Sequence, residues 1–240
     1  MGHARRFYCP DLASPPWHLD AADARHARKV LRLCRGDRVT LLDGRGGWTL
    51  ATLAALSDCE AVAEPDGPLH RTGPPPLRPH LLVGAPDPAA LDAVVEHAVE
   101  LGAWALAVSV TVRSQVPRVA LERRRERWEA LARSGLKQSG NLFLPELSLH
   151  DGIEAALEAL PARGWLFQQA AEPFAAGAHD GDVLLAVGPE GDFTDGEREA
   201  LLRHGLRPAA LSSHTLRVET AALAALAAVT LRAAGGAPPG

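Results

Sequence analysis

The sequence predicts an α/β protein of two domains, a small β-rich domain followed by a larger domain with a mostly parallel sheet. A proline-rich segment at 73–79 separates them, because such a run favours an extended linker over a helix or a central strand. Before it, short strand-like segments dominate; after it, apolar strand-like runs alternate with amphipathic helix-like runs. We therefore place one domain at 1–72, the linker at 73–79 and the second domain at 80–240.

The first domain is predicted to be a small β-barrel with one basic helix. Apolar residues have helical spacing over 20–33, a segment that also carries four basic residues. Strand patterns follow at 38–43, 48–56 and 61–64, and a glycine-rich turn at 44–47 joins the first two.

The second domain alternates strands and helices, which implies a mostly parallel sheet. Gly102 ends the first helix, and Thr194 with Glu197 has the spacing of a capping box. The predicted strands are 80–84, 104–110, 165–168, 183–187 and 209–212, and the predicted helices are 88–101, 121–138, 194–204 and 218–233.

Composition narrows the class of protein. The 240 residues and the hydrophobic fraction of 47% are those of an ordinary globular chain. We find neither a signal-peptide pattern nor an apolar run that could cross a bilayer, so we expect no membrane association. Three cysteines without CxxC spacing argue against a disulfide framework and a metal site, and favour a cytoplasmic location.

The net charge of −4 conceals two basic regions. Residues 1–45 contain nine Arg or Lys against five Asp, and residues 113–137 contain eight against three Glu. Clustered basic residues are typical of nucleic-acid binding. A run such as 123–127 is equally typical of a solvated helix face.

Two loops of the second domain are candidates for a ligand site, because open α/β sheets bind ligands beyond the carboxyl ends of their strands. The first loop, 188–192, has two glycines that allow a tight turn and close approach to a ligand. Glu190 and Asp192 would repel phosphate, so a cationic ligand with sugar hydroxyls, such as S-adenosylmethionine, suits the loop better. A plain strand-to-helix turn is the alternative.

The second loop, 212–220, runs into a predicted helix. Its Arg217 and Glu219 cannot be core residues unless they are paired, so a salt-bridged helix cap is the alternative to a functional role. Because the two loops follow successive predicted strands, we expect them to converge on one pocket.

Both loops resemble signatures of a known family. Gly188-Pro-Glu-Gly-Asp-Phe-Thr194 resembles GPEGGF(S/T), and Leu216-Arg-Val-Glu-Thr-Ala221 resembles LRxETA. In this order they resemble the bacterial small-subunit ribosomal RNA uridine-N3 methyltransferases, the RsmE family of the SPOUT superfamily. Weaker matches cover nearly the whole chain, among them Arg5-Arg6-Phe7 with RxF and Gln138-Ser139-Gly140 with QSGR.

The resemblance implies a fold and a reaction. The fold is a C-terminal SPOUT-type domain, with a parallel sheet and a deep trefoil knot, preceded by a PUA-like β-barrel that binds RNA. The reaction is methyl transfer from S-adenosylmethionine to N3 of a uridine in 16S ribosomal RNA of the small ribosomal subunit. The protein is expected to be a homodimer and to need no metal.

The matched motifs also imply site residues. Arg217 is the expected catalytic cation, which would stabilise the anion formed when N3 loses its proton. Glu219 or Glu190 would orient Arg217 or hold the cofactor's ammonium, and Glu219 is the second expected catalytic residue. The expected cofactor-binding residues are Val187, Gly188, Pro189, Glu190, Gly191, Leu211, Ser212, Leu216 and Thr220. The expected RNA-binding residues are Arg5, Arg6, Arg25, Arg28, Arg32, Arg113, Arg118 and Asn141.

The chain departs from the family pattern at several positions. Asp192 and Ser212 replace glycines, Asn141 replaces an arginine, His97 stands where lysine is usual, and 85–88 lacks the usual basic residues. These departures support two alternatives. One is a knotted RNA-binding protein without methyltransferase activity, and the other is a SPOUT methyltransferase that acts on another RNA position.

Overall fold

The structure is a computed structural model that describes residues 5–175 and 179–233. The chain divides into two compact units, the first formed by Met1–Pro74 with Arg133–Leu144 and the second by Pro75–Ala132 with Pro145–Gly240. The domain boundaries drawn from the sequence stay a prediction.

The first unit contains a six-stranded, mostly antiparallel sheet. Its strands are β1 (Arg6–Tyr8), β2 (Trp17–Leu19), β3 (Arg38–Leu42), β4 (Gly47–Leu56), β5 (Ala61–Pro65) and β6 (His70–Arg71). The order is β1-β3-β4-β5-β2, with β6 beside β4, and β1 runs parallel to β3. The short strands β1, β2 and β6 were not predicted, because two or three residues are too few to show a period-2 pattern.

Strands from both ends of this sheet contribute to one core. Phe7 of β1 and Trp17 of β2 are buried in the same cluster as Leu41 of β3 and Leu53 of β4. The sheet therefore curls around a shared apolar interior, as the predicted barrel requires.

The helix predicted at 20–33 is only partly right. Helix α1 (Ala21–Arg25) is capped by Asp20, whose carboxylate accepts from the Asp23 N–H at 2.7 Å, and a π-helical turn, His26–Val30, follows. Apolar spacing alone does not separate these helix types over so few residues.

The second unit is built on a six-stranded sheet in which every strand pair is parallel. The strands are β7 (Leu77–Gly84), β8 (Ala105–Val110), β9 (Glu146–Asp151), β10 (Gly164–Phe167), β11 (Gly181–Val187) and β12 (Leu206–Ala209). The order is β12-β10-β11-β7-β8-β9, which confirms the predicted parallel sheet. The helices are α2 (Pro88–Glu100), α3 (Arg118–Glu122), α4 (Arg125–Ser139), α5 (Ile153–Leu157), α6 (Asp195–Arg203) and α7 (Val218–Ala233).

Three predicted elements need correction. The strand predicted at 209–212 is wrong in position, because β12 covers Leu206–Ala209 in register with β10. The single helix predicted at 121–138 is split into α3 and α4. Strand β7 begins at Leu77, inside the expected linker, since a proline near the start of a strand can be tolerated despite its missing N–H.

The apolar strands place the core around the centre of this sheet. Val183 to Val187 of β11 are all buried, as are Leu81 to Gly84 of β7 beside them. Within the described residues, no helix is both long and apolar enough to cross a membrane, and no group of three or more His, Cys, Asp or Glu is arranged to hold a metal ion.

A buried carboxylate, Asp92, connects α2 to the start of α4. It accepts hydrogen bonds from Arg124 at 2.5 Å, from Arg127 at 2.6 Å and from the Trp128 Nε1–H at 3.2 Å. Burial alone would raise the pKa of Asp92, but the two guanidinium groups outweigh it and hold the pKa below its usual range. The charged form of Asp92 therefore stabilises the fold.

We expect Asp92→Asn to reduce the free energy of unfolding at neutral pH and to have a smaller effect in acid. Because the folded-state pKa is depressed, the stabilisation is full above the ordinary carboxyl pKa of about 4 and is lost as pH falls through the folded-state value. Urea unfolding at about pH 7 and about pH 3 should show a smaller difference between wild type and variant at the lower pH. The exposed Asp180→Asn is the control, and equal differences at both pH values for Asp92→Asn would contradict the assignment.

Candidate active site

A cavity of about 820 Å³ opens at the carboxyl ends of β10 and β11. It is formed where the loops after β10, β11 and β12 meet the first turns of α2 and α7. This is the edge of a parallel sheet where ligands bind, and the volume suits a small molecule. The two loops expected to converge both line this cavity.

The loop after β11 is a tight turn stabilised by its own side chains. The Asp192 N–H donates to the Pro189 carbonyl at 2.8 Å, and Asp192 has φ of 60°, a conformation that aspartate tolerates better than most residues. Its carboxylate accepts from the Phe193 N–H at 2.7 Å and from Arg198 at 2.8 Å. Asp192 thus adopts a backbone conformation that favours glycine, and its charge is paired with a cation on α6.

Two glycines let this loop lie against the sheet. A Cβ on Gly84, the last residue of β7, would come within 2.4 Å of Pro189 Cδ and 2.8 Å of Pro189 N. A Cβ on Gly188 would lie 2.9 Å from the Asp192 carboxylate. The sequence analysis singled out Gly188 but missed Gly84, for which a glycine ending an apolar strand was the available signal.

The loop is anchored further by α6 and by the segment after β8. Thr194 and Glu197 form the predicted capping box, each side chain accepting from the other's N–H. The buried Glu197 carboxylate also accepts from the Val112 N–H at 2.9 Å. Arg113, expected to bind RNA, donates to the Gly191 carbonyl at 2.8 Å. The structure therefore gives Arg113 a supporting contact at the cavity loop.

Arg217 and Glu219 both line the cavity where α7 begins. The Arg217 carbonyl accepts from the Ala221 N–H at 2.8 Å, which starts the helix. Among the described residues, neither the Arg217 guanidinium nor the Glu219 carboxylate has a hydrogen-bonding or ionic partner. The salt-bridged cap considered as an alternative is therefore absent from the described part of the chain, and both charges face the cavity.

Seven of the nine residues expected to bind the cofactor line the cavity. The two outside the lining are Gly191, whose carbonyl accepts from Arg113, and Thr220, which is exposed on the first turn of α7. The seven are Val187, Gly188, Pro189, Glu190, Leu211, Ser212 and Leu216.

Two parts of the lining were not expected from the sequence. Asp87 caps α2 by accepting from the Ala89 N–H at 2.8 Å, and its own N–H donates to Glu190 at 2.9 Å. Gln169, after β10, accepts from the Thr215 hydroxyl at 3.2 Å. Both parts follow strands that flank β11, and the sequence contains no signal for this adjacency, because the strand order is set only when the sheet assembles.

Within the described part of the chain, some of the expected RNA-binding residues of the first unit form ion pairs, and others do not. Arg25, the last residue of α1, and Arg32, just after the π-helical turn, are both exposed. Arg5 pairs with Asp37 at 3.2 Å, and Arg28 pairs with Asp58 at 2.6 Å. Both arginine side chains stay accessible to solvent, because about half of each is exposed, and exposed ion pairs of this kind are weak.

Three other expected RNA-binding residues have internal contacts. Arg6 donates to the Gln138 carbonyl at 3.1 Å, and the Asn141 side chain accepts from the Phe143 N–H at 3.1 Å, both within the first unit. In the second unit, two carboxylates neutralise Arg118. It is therefore a weaker candidate for phosphate contact than the exposed Arg25 and Arg32. The two carboxylates are those of Glu122 at 2.8 Å and Asp151 at 2.9 Å.

Two family models match this chain. Residues 73–230 match the model of an RNA methyltransferase domain, and residues 19–65 match that of an RNA methyltransferase PUA domain. A ribosomal RNA small subunit methyltransferase E from Synechocystis is 28% identical, covering 88% of this chain and 71% of the relative. Its namesake from Mycobacterium tuberculosis is 29% identical, covering 88% and 84%.

Solved structures have the same architecture. The ribosomal RNA small subunit methyltransferase E of Neisseria gonorrhoeae, crystallised with S-adenosyl methionine, is 30% identical with a TM-score of 0.81, covering 94% of this chain and 96% of that one. A putative methyltransferase of Legionella pneumophila gives a TM-score of 0.85 at 24% identity, covering 98% and 100%, and supports the fold alone. This chain therefore belongs to the RNA methyltransferase family, within the group named ribosomal RNA small subunit methyltransferase E (RsmE).

Proposed function

We propose that this protein transfers a methyl group from S-adenosylmethionine to N3 of a uridine in the 16S RNA of the small ribosomal subunit. The observation that carries the proposal is the meeting of both signature loops at one cavity, with Arg217 and Glu219 facing it. The Neisseria gonorrhoeae relative is described as bound to S-adenosyl methionine, which supports the same cofactor here.

The residues of the cavity fit this cofactor. Apolar side chains such as Phe167, Val187 and Leu211 offer surface for an adenine ring. The carboxylates of Asp87 and Glu190 face the same space and suit a ligand with a sulfonium and an ammonium. The tight turn at 188–192 lets the backbone approach a ligand closely.

The cofactor supplies the methyl group as an electrophile on a positively charged sulfur. Arg217 would stabilise the negative charge that spreads onto the uracil carbonyl oxygens as N3 gives up its proton. Glu219 has no hydrogen bond to Arg217, so holding the cofactor's ammonium is the role left to it from the sequence analysis.

The remaining features of the proposal concern RNA binding, assembly and location. The exposed Arg25 and Arg32 would bind phosphates of the RNA, with affinity that falls as salt rises.

Helix α7 is apolar nearly all round, and its Leu231 is 70% exposed, which supports burial against a second copy in a homodimer. A ribosomal substrate implies the cytoplasm, and family membership implies the deep trefoil knot in the second unit.

The two alternatives gain no support from the structure. One of the departures that favoured an inactive protein was the replacement of glycine by Asp192, yet Asp192 keeps a left-handed backbone and its charge is paired with Arg198. We therefore retain methyl transfer as the function.

Calorimetry with S-adenosylmethionine and tritiated methyl transfer to small ribosomal subunits test the proposal. We expect saturable cofactor binding, and N3-methyluridine as the labelled nucleoside in mass spectrometry. Absence of binding at saturating concentration would overturn the proposal, and a different methylated nucleoside would overturn the assignment of the N3 position.

A further inference from the structure

The side chains around the cavity carry more negative than positive charge. Among the described residues that line the cavity, four have carboxylates and one has a guanidinium. The carboxylates belong to Asp87, Glu190, Asp192 and Glu219, and the guanidinium to Arg217.

This excess is only partly neutralised by the surrounding protein. Arg198 lies outside the lining and pairs with Asp192 at 2.8 Å, but it also pairs with Asp195 at 2.9 Å. Asp87 and Glu190 have no cationic partner among the described residues, because backbone N–H groups hold both carboxylates. The N-terminus of α2 adds only about half a positive charge beside these two carboxylates.

We propose that these carboxylates make the protein bind S-adenosylmethionine more tightly than the demethylated product, S-adenosylhomocysteine, with Asp87 and Asp192 as specificity-determining residues. The inference rests on the proposed function and extends it to product release. Both aspartates line the cavity, and neither lies in a position that the family's signatures reserve for an acidic residue.

The physical basis is the charge of one sulfur atom. Cofactor and product share the same adenosine, ammonium and carboxylate, so apolar contacts and hydrogen bonds stabilise both to about the same extent. Only the sulfonium of the cofactor carries a positive charge, because loss of the methyl leaves a neutral thioether. A single carboxylate roughly 7 to 10 Å from such a charge changes affinity by about two- to tenfold at a partly solvated site.

The consequence is a site that releases its product readily. A product that has lost the sulfonium charge keeps only the attraction of the carboxylates for its ammonium, whereas fresh cofactor is attracted through both charges. Accumulated product would then compete weakly for the cavity during repeated turnover.

Calorimetric titration of both ligands into the wild type, Asp87→Asn and Asp192→Asn tests this. Asparagine keeps the helix cap at position 87 and tolerates the left-handed backbone at position 192, so each variant removes mainly a charge. We expect the Kd for S-adenosylmethionine to rise about two- to tenfold more than the Kd for the product, because the attraction for the ammonium that both ligands share cancels in the ratio. Asp180→Asn is the matched control, since Asp180 is 89% exposed and lies outside the lining.

A variant that removes a positive charge instead of a negative one separates an electrostatic effect from a structural one. Arg198→Gln leaves Asp192 without its cation, so the preference for S-adenosylmethionine should increase. A purely structural effect would instead weaken both ligands together. The preference should also decrease in about 1 M salt, where charges are screened within about 3 Å.

The outcomes distinguish the two proposals. Equal Kd values for the two ligands in the wild type, or a ratio that the aspartate variants leave unchanged, would overturn the charge-based preference and leave the methyltransferase assignment standing. Failure of both ligands to bind would overturn the proposed function together with this inference.

Discussion

Replacing Arg217 with alanine is expected to lower methyl transfer by about 10²- to 10³-fold while changing S-adenosylmethionine affinity by less than about threefold. The guanidinium lines the cavity and, among the described residues, has no carboxylate partner that would fix it as a structural element. Arg217 is proposed to stabilise negative charge that develops only as N3 is deprotonated. Loss of the guanidinium should therefore affect turnover more than cofactor binding. Single-turnover transfer of tritiated methyl, beside calorimetry, measures both quantities.

Two further variants make this prediction specific. Arg217→Lys keeps the charge without the planar fork and should recover part of the activity. Arg207→Ala removes an exposed arginine from β12, outside the cavity lining, and should leave transfer unchanged. If Arg217→Ala lost cofactor affinity and turnover equally, the side chain would serve mainly to shape the cavity, and the catalytic role assigned to it would be wrong.

Gly84→Ala is expected to weaken S-adenosylmethionine binding by about tenfold or more while the protein still folds. The added methyl would meet Pro189 Cδ at 2.4 Å and Pro189 N at 2.8 Å, and neither atom can move without the turn at 188–192. Overpacking of this kind costs about 1–3 kcal/mol, and displacement of the turn, whose residues 190–192 are exposed, relieves it more easily than displacement of the buried strand. Calorimetry gives the affinity, and circular dichroism with urea unfolding gives the fold and its stability.

Gly196→Ala is the matched control for this substitution. Gly196 is on α6, four residues after the turn, and a Cβ there meets no atom within 4 Å. Alanine favours the helix over glycine by up to about 1 kcal/mol, so binding should be unchanged and stability equal or slightly higher. Wild-type affinity in Gly84→Ala would show that the turn's position against β7 does not govern the site.

Much of the second unit could be predicted because its signals are local. The buried runs of β7 and β11 and the capping box of Thr194 with Glu197 depend on residues a few positions apart. Elements without such a signal were missed or misplaced. Strand β9 is half-exposed along its length, and β12 is set by its register with β10 rather than by its own sequence.

The candidate site divides in the same way. The resemblance to two motifs pointed to the turn after β11 and to Arg217, and the cavity contains most of the expected lining. The motifs could not show that Arg113 supports the turn, or that Asp151 pairs with Arg118, because those contacts join segments that follow different strands of the sheet.

The sequence by itself determined the alternation of strands and helices, the parallel sheet and the two loops that carry chemistry, since near neighbours along the chain encode these features. Only the tertiary structure decided that Asp87 joins Glu190 at the cavity, 103 positions apart, and that Arg198 pairs with Asp192. The physical reason is the strand order: β10, β11 and β7 become neighbours only when the sheet assembles, and the charge of the site is the sum of what they bring together.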